Sequence, residues 1–305
     1  MCLICVLSII YLIIILYLIV LLSIAFFTLL ERKILGYIHQ RKGPNKVLLG
    51  GLLQPVIDGI KLFNKENNVS FNINKFLFSV FPFISLLIMI LIWQRFFFLN
   101  LDFLLNRFLF YILFSSLRVY SIIGRGWVSN SKYAMLGCYR GVAQVISYEV
   151  GLIFLVIIII FFVKNFSFRF LLEKSGIRHI SLWGFIFMLV IWVVIILAEL
   201  NRAPFDFAEI ESELVSGFNV EFGGLKFAFL FLAEYGSIIY MSYLTILIFL
   251  RKRLLYCVMI MLILVWVRGV FPRYRYDNLI YLNWKVFLPV ILVLFISVYD
   301  YCVFN

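Results

Sequence analysis

The chain has 305 residues, of which 65% are hydrophobic, 19% aromatic and only 14% charged, and its net charge is +12. Soluble domains are about 45–50% apolar and about 25% charged, so this chain cannot cover a compact fold with a polar surface. A water-soluble fold, a disordered chain and a small disulfide scaffold are excluded. In so apolar a chain, the positive charge indicates a membrane protein before a nucleic-acid binder.

The elements, taken in chain order, are predicted to be membrane-spanning helices, since about 20 apolar residues cross a bilayer. Four strong spans carry at most one charge each; they lie at 1–30, 76–94, 179–198 and 227–250. Four weaker spans are short or interrupted by a charge; they lie near 103–124, 134–163, 254–270 and 286–303. The sequence therefore predicts an all-α polytopic membrane protein of about eight transmembrane helices in a single domain, residues 1–305.

The first stretch has neither a basic leading segment nor a small-residue cleavage motif, so we expect a mature helix rather than a signal peptide. The distribution of Lys and Arg predicts the orientation. Eighteen of the 27 basic residues fall in or beside the odd-numbered loops, near 31–75, 125–133, 199–226 and 270–285. Basic loops stay on the inner side of an energised membrane. These loops are thus predicted to face the cytoplasm or mitochondrial matrix, with both termini on the outer side.

The first inner loop contains an amphipathic segment, residues 51–66. Its apolar side chains share one stripe of a helix, and Asp58, Lys61 and Lys65 lie opposite. A helix of this kind lies in the membrane interface rather than spanning the bilayer.

Three glutamates are placed where apolar residues would be expected: Glu149 in the fourth span, Glu199 at the inner end of the fifth and Glu234 in the sixth. An ionisable group at the centre of a membrane helix costs roughly 2.5–3.5 kcal/mol on insertion scales and usually marks a pathway. Carboxyl groups removed from water hold their protons to higher pH than exposed ones, which suits proton relay. The alternative for each is a structural acid, and for Glu199 a simple position at the interface.

The third inner loop concentrates acid, with six of the fifteen acidic residues between positions 199 and 221. If residues 205–215 are helical, Asp206, Glu209 and Glu213 share one face, with Arg202 as the nearest counter-charge. The alternative is a solvated acidic loop, but Pro204 and the phenylalanines around it favour a packed segment.

Sequence motifs in all four inner loops resemble those of subunit 1 of NADH–quinone oxidoreductase, respiratory complex I. They are ERKILGY (31–37), RKGPNK (41–46) and GLLQP (51–55); GW (126–127), SNSKY (129–133) and AQVISYE (143–149); ELNRAPFDFAE (199–209), ESELVSGFNVE (211–221) and LAEY (232–235); and RG (268–269), PRYRYD (272–277) and WK (284–285). Leu200 and Ile210 depart from the usual family pattern, but no carboxylate or arginine is lost.

The resemblance implies a subunit that forms much of the cavity through which ubiquinone, the substrate, enters from the bilayer. The residues implied to line or abut the quinone passage are Glu31, Arg32, Arg41, Asp58, Arg202, Phe205, Asp206, Glu209 and Glu213. The residues implied to connect it to the proton channel of the membrane arm are Glu149, Glu199, Glu221 and Glu234. By the same resemblance FMN and the iron–sulfur clusters belong to partner subunits.

The expected partners are the quinone-site subunits of the peripheral arm, the neighbouring small membrane-arm subunits and membrane lipids, and no nucleic acid. The sequence predicts no metal site and no cysteine-ligated cluster in this chain, because its five cysteines are scattered without a CxxC pair. The abundance of Phe, Tyr, Ile and Leu suits an organellar gene product. We therefore expect a multi-pass protein of the mitochondrial inner membrane, or of the bacterial plasma membrane if the product is not organellar.

Two other classes of protein remain open. One is a membrane subunit of a related hydrogenase-type complex, and the other is a stand-alone proton- or cation-coupled transporter, which intramembrane glutamates alone would allow. Purification separates a transporter from a respiratory subunit. A transporter stays active when isolated, whereas a respiratory subunit is recovered only within a large complex that shows flavin and iron–sulfur absorbance.

Overall fold

The structure is a computed structural model that describes residues 3–47, 49–66, 73–97, 107–163, 182–207, 221–249 and 254–304. Within these ranges the chain forms helices and no β-strand, which confirms the predicted all-α class. The α-helices are α1 (Leu3–Ile38), α2 (Gln54–Asn64), α3 (Lys75–Phe97), α4 (Arg107–Val128), α5 (Lys132–Val163), α6 (Leu182–Glu199), α7 (Gly224–Phe249), α8 (Leu254–Val270), α9 (Tyr276–Tyr281) and α10 (Leu288–Phe304). A π-helical stretch, Leu282–Phe287, joins α9 to α10.

Each of the eight predicted spans coincides with a helix of the described chain. Five stretches are long and apolar enough to cross a membrane, and they lie in α1, α3, α5, α7 and the continuous run from α9 to α10. The described parts of α6 and α8 are apolar but shorter. The structure thus shows a helical chain with at least five membrane-crossing candidates, and the count of eight spans stays a prediction.

The interior of the bundle is built around α5, α6 and α7. Helix α5 packs against α4, α6 and α10, while α7 packs against α1, α3 and α8. In the most apolar window of α7, 72% of the residues are buried, against 17% in the window of the last helical run. Helices α5 and α7 are therefore central, and α1 and α10 present wide apolar faces outward, as lipid-facing helices do.

Helix α1 runs eight residues further than the predicted span and includes Glu31 and Arg32, which were expected in the first inner loop. Both are good helix formers, and a helix need not end where the hydrocarbon ends. The loop then turns back sharply on this helix. A Cβ atom at Gly36 would lie 2.9 Å from the amide nitrogen of Gly43, so this approach requires glycine.

The predicted amphipathic helix is confirmed as α2, although it begins three residues late and ends two residues early. The delay has a local cause: Gly51 adopts φ +81° close to the carbonyl oxygen of Pro44, and Pro55 then sets the first helical turn. The apolar stripe of this segment is exposed, at Leu52, Leu53, Val56, Ile60 and Phe63. Among the described residues α2 packs mainly against α1 and α7, and the exposed stripe is the part of its surface that can meet lipid.

Candidate functional site

The polar site lies at one end of the bundle, where the segment after α6 meets the segment after α8. The backbone amide of Tyr274 donates a hydrogen bond of 3.1 Å to the carbonyl oxygen of Pro204. The ring of Phe205 lies 5.4 Å from that of Tyr274, and the ring of Phe207 lies 5.9 Å from that of Tyr276. The third and fourth predicted inner loops therefore share one side of the molecule, as the charge distribution requires.

A cavity of about 70 Å³ opens beside this end, between α3, α4, the end of α6 and α7. Three of the predicted functional side chains line it, and they are Glu199, Arg202 and Glu234. Other polar lining groups come from Tyr111, Ser115, Arg118, Arg125, Asn201 and Ser237. A cavity of this size, with these polar groups on an otherwise mostly apolar lining, has room for several water molecules, since one needs only about 10–15 Å³ of such volume.

Glu199 is the most enclosed acid of the site, at 2% exposure. The hydroxyl of Tyr111 donates to Glu199 Oε1 at 2.9 Å, and Arg118 Nη2 donates to the backbone oxygen of Glu199 at 2.8 Å. The same Nη2 atom lies 3.3 Å from Oε1. The second carboxylate oxygen, Oε2, is buried without a hydrogen-bond partner among the described residues. Buried oxygens of this kind are normally satisfied, so water in the cavity is the natural donor.

Glu149 belongs to the same cluster, although it lies on α5. The hydroxyl of Ser115, which lines the cavity, is 3.1 Å from Glu149 Oε1. Arg118 also attracts this carboxylate. One arginine on α4 thus lies between two buried glutamates from different helices, and a proton lost by one changes the electrostatic balance at the other.

Arg202 stands between this cavity and a second, smaller one of about 20 Å³, and it lines both. Its Nη2 atom lies 3.9 Å from Glu234 Oε2, and its guanidinium carbon is 4.4 Å from the centre of the Tyr235 ring. A cation held over an aromatic face beside a carboxylate is fixed in place from two directions. Leu200, one of the departures from the family pattern, is buried and also lines both cavities.

Glu31 lines the smaller cavity and forms an ion pair with Arg268. The carboxylate is almost enclosed, at 6% side-chain exposure, whereas the guanidinium is about one-third exposed. Glu31 also interacts with Tyr235, whose ring faces Arg202. The ends of α1 and α8 are therefore joined to the Arg202 turn through consecutive polar contacts.

Arg32, the next residue of α1 after Glu31, meets Asp58 of α2. Arg32 forms an ion pair with Asp58, and Gln54 Nε2 donates to Asp58 Oδ1 at 2.9 Å. Partial burial raises the pKa of Asp58, but the hydrogen bonds from Arg32 and Gln54 outweigh this and hold it below its ordinary value. Asp58 thus carries a stable negative charge that ties α2 to α1. Arg41, in contrast, is exposed and lines none of these cavities.

Asp206 lies in the turn after α6. Burial raises the pKa of Asp206 above its ordinary value, against the attraction of Arg273 and Arg202. Phe205 is buried beside it. Glu209 and Glu213, and the predicted acidic helix on 205–215 beyond position 207, lie outside the described residues. Glu221 is half-buried and does not line the larger cavity.

Arg118 and Tyr111 were not singled out in the sequence, although the structure places both against Glu199. Arg118 does carry a signal in the sequence, because it is an arginine inside a predicted span, where an ionisable group is costly. Tyr111 gave no such signal, since tyrosine is common in membrane helices. Gln144, which is fully buried on α5, matched a family motif but carried no predicted role.

No group of three or more His, Cys, Asp or Glu side chains that could hold a metal ion occurs within the described ranges. At least five apolar helices long enough to cross a membrane, with carboxylates and arginines held between them, define a helical membrane protein.

The chain belongs to the family described as NADH dehydrogenase, whose sequence profile matches residues 11–299. It is 45% identical to NADH-ubiquinone oxidoreductase chain 1 of Rhipicephalus sanguineus over 289 residues, 93% of this chain and 92% of that protein. It is 48% identical to the protein of the same name from Anopheles gambiae over 277 residues, 88% of this chain and 87% of that one. The resemblance predicted from the inner-loop motifs, to subunit 1 of complex I, is confirmed.

Proposed function

We propose that this chain forms the quinone-access cavity of proton-pumping NADH:ubiquinone oxidoreductase and couples quinone reduction to proton translocation. It crosses the mitochondrial inner membrane about eight times, with both termini on the outer side and its polar end toward the peripheral arm. FMN and the iron–sulfur clusters belong to partner subunits, and ubiquinone is the substrate that this chain contacts. The proposal rests on one arrangement. Glu199, Arg202 and Glu234 line the larger cavity, and Glu31 lines the smaller cavity together with the same Arg202, which connects the two.

The entrance is proposed at α2. An isoprenoid tail is as apolar as lipid, so the quinone must leave the bilayer where a hydrophobic surface borders polar groups. Helix α2 offers such a border, because Val56, Ile60 and Phe63 are exposed while Asp58 is paired with Arg32 of α1. Arg41 and the acidic residues 209 and 213 complete the predicted polar lining of the passage.

Reduction of the headgroup is proposed to act on the carboxylates through charge. A quinone that takes up two electrons from a partner redox centre must also take up two protons to become quinol. Arg202 and Asp206 lie where they would meet a polar headgroup, and Arg202 contacts Glu234. A change in the charge of the headgroup beside Arg202 would alter the electrostatic potential at Glu234. The change would then reach Glu199 across the cavity and Glu149 through Arg118. Glu221 is proposed as a further member of this relay.

The test of the relay is replacement of Glu149 or Glu234 by glutamine. Each change keeps the shape of the side chain but removes its exchangeable charge, so we expect proton pumping and the quinone reduction coupled to it to fall several-fold while the complex still assembles. Pumping is measured in sealed vesicles as protons per electron. Asp277→Asn is the control, because Asp277 is exposed and pairs only with Arg275 at the surface among its described contacts. If both glutamine variants pump at the wild-type ratio, the two glutamates are structural acids.

The test of the entrance is Val56→Trp, which adds bulk to the exposed stripe of α2. Because a long isoprenoid tail must pass this rim, we expect the KM for long-tailed quinone to rise more than that for a short-tailed analogue, with altered sensitivity to quinone-site inhibitors. Val293→Trp adds the same bulk to an exposed position on α10, a helix with no major contact to α2, and should change neither KM. Equal effects of Val56→Trp on both quinones, or loss of assembly, would leave α2 with an anchoring role alone.

A further inference from the structure

Gln144 joins the two ends of the turn that carries Arg202. The side chain lies on α5 and is fully buried. Its Nε2 atom donates to the carbonyl oxygen of Ala198 at 2.8 Å and to that of Phe205 at 2.7 Å. Two carbonyl acceptors on one side of the amide require the NH₂ group there, so the orientation of the amide is determined by its neighbours.

The bridged segment has few backbone bonds of its own to fix its shape. Asn201 adopts φ +49°, which ends the helix, and the Arg202 amide reaches back to the Leu197 oxygen at 3.3 Å. The Phe205 amide donates to the Arg202 oxygen at 2.8 Å and closes the turn. The Ala198 carbonyl oxygen accepts a hydrogen bond of 3.3 Å from the Asn201 amide, and the bond from Gln144 Nε2, at 2.8 Å, is the shorter of the two.

The position of Arg202 depends on this turn, because its guanidinium must lie over Tyr235 and near Glu234 at the same time. We infer that Gln144 is a positioning residue for the reaction, whose two amide hydrogens hold the Glu199–Phe205 turn so that Arg202 faces both cavities. The inference rests on the proposed function of Arg202. A primary amide of this length reaches both carbonyls, whereas asparagine is one methylene shorter and reaches them less well, and methionine has no donor.

The experiment compares Gln144→Met with Val145→Ala in the whole complex in its membrane. Val145 is the next residue on α5 and is equally buried, but it faces a separate apolar cluster with Val119 and Ile122. For Gln144→Met we expect quinone turnover to fall about 10- to 100-fold, as displacement of a site group by 1 Å can cause. The loss of quinone turnover is measured relative to NADH oxidation by an artificial acceptor that takes electrons at the flavin, because this second activity reports the number of assembled complexes. Val145→Ala should stay within twofold of wild type.

Kinetics distinguish positioning from simple structural support. A positioning role lowers kcat or raises the KM for quinone in each assembled complex, and Gln144→Asn retains part of the activity. Normal kinetics per complex with Gln144→Met would overturn the inference. Failure of Gln144→Met and Gln144→Asn to assemble, while Val145→Ala assembles, would overturn it as well, in favour of a purely structural role.

A double-mutant cycle shows whether Gln144 acts through Arg202. Lysine at position 202 is a flexible point charge and depends less on the geometry of the turn than arginine does. Gln144→Met should therefore lower quinone turnover by a smaller factor in the Arg202→Lys background than in wild type, and equal factors in both backgrounds would contradict the inference.

If Arg202→Met leaves quinone turnover normal, the proposed function itself fails. If Arg202→Met abolishes turnover and Gln144→Met does not lower it, only the role of Gln144 fails.

Discussion

Arg202→Met is expected to abolish quinone reduction in any complex that assembles, while NADH oxidation by an artificial flavin-level acceptor continues. Arg202 is the cation that lies 3.9 Å from Glu234 and also attracts the half-buried Asp206, which Arg273 attracts as well. Removal of one partner of a buried ion pair typically costs about 3–5 kcal/mol, because the other charge is left uncompensated. Here two carboxylates lose the same counter-charge, so we expect either loss of the site geometry or loss of assembly.

The measurement is the ratio of quinone reductase to artificial-acceptor activity in membranes. Arg275→Met is the matched control, since Arg275 follows α8 on the segment that packs against the Arg202 turn but is 82% exposed in its side chain. Exposed pairs contribute about 0–1 kcal/mol, so this control should leave the ratio unchanged. Normal quinone turnover in Arg202→Met would contradict the role given to this arginine.

The helical architecture was largely predictable, because it follows from the one-dimensional hydropathy of the chain. The uncharged run 76–94 lies on α3, the run 227–250 with its single charge lies on α7, and the period of the apolar residues after Gly51 located α2. The helix boundaries were less predictable. Whether a charged residue such as Glu31 continues a helix or begins a loop depends on its partner, and Arg268 lies 237 residues away.

The candidate site was predictable as a set of acids but not as an arrangement. Spacing along the chain and the family motifs selected Glu149, Glu199 and Glu234, and the structure places Glu199 and Glu234 on one cavity with Glu149 beside it. The sequence singled out Arg202 as a counter-charge, but it did not reveal Arg118. Arg118 bonds to Glu199 across 81 positions, and such a pairing depends on how α4 packs against α6 and α7, which hydropathy does not encode.

The same limit applies to Gln144. Its importance lies in two acceptors, 54 and 61 positions away, that become neighbours only after the turn beyond α6 has folded. A buried amide in an apolar helix is a signal in itself, since it must find partners. The identity of those partners, and therefore the role of the residue, requires the three-dimensional fold.

Arg118→Met is expected to have the largest effect of any single substitution in this chain. Arg118 donates to both the backbone and the carboxylate of Glu199, whose side chain is 2% exposed, and it also attracts Glu149. Loss of the cation leaves two acids in a nearly closed site, and we expect assembly of the complex to fall by more than tenfold, consistent with a cost of about 3–5 kcal/mol for a broken buried pair. Assembly is measured by native electrophoresis of solubilised membranes.

The double variant Arg118→Met with Glu199→Gln separates charge from packing. Replacing both members of a buried pair by neutral groups is often tolerated, because no charge is left without a partner. We therefore expect the second substitution to restore most of the assembly, because only Glu149 then lacks its cation, while proton pumping stays low because Glu199 no longer exchanges a proton. If the double variant assembles no better than Arg118→Met alone, the arginine acts through its packing and its hydrogen bond to the Glu199 backbone. If the double variant assembles and pumps at the wild-type ratio, Glu199 is not part of the relay, and the proton path must pass the cavity through Glu234 and Glu149 without it.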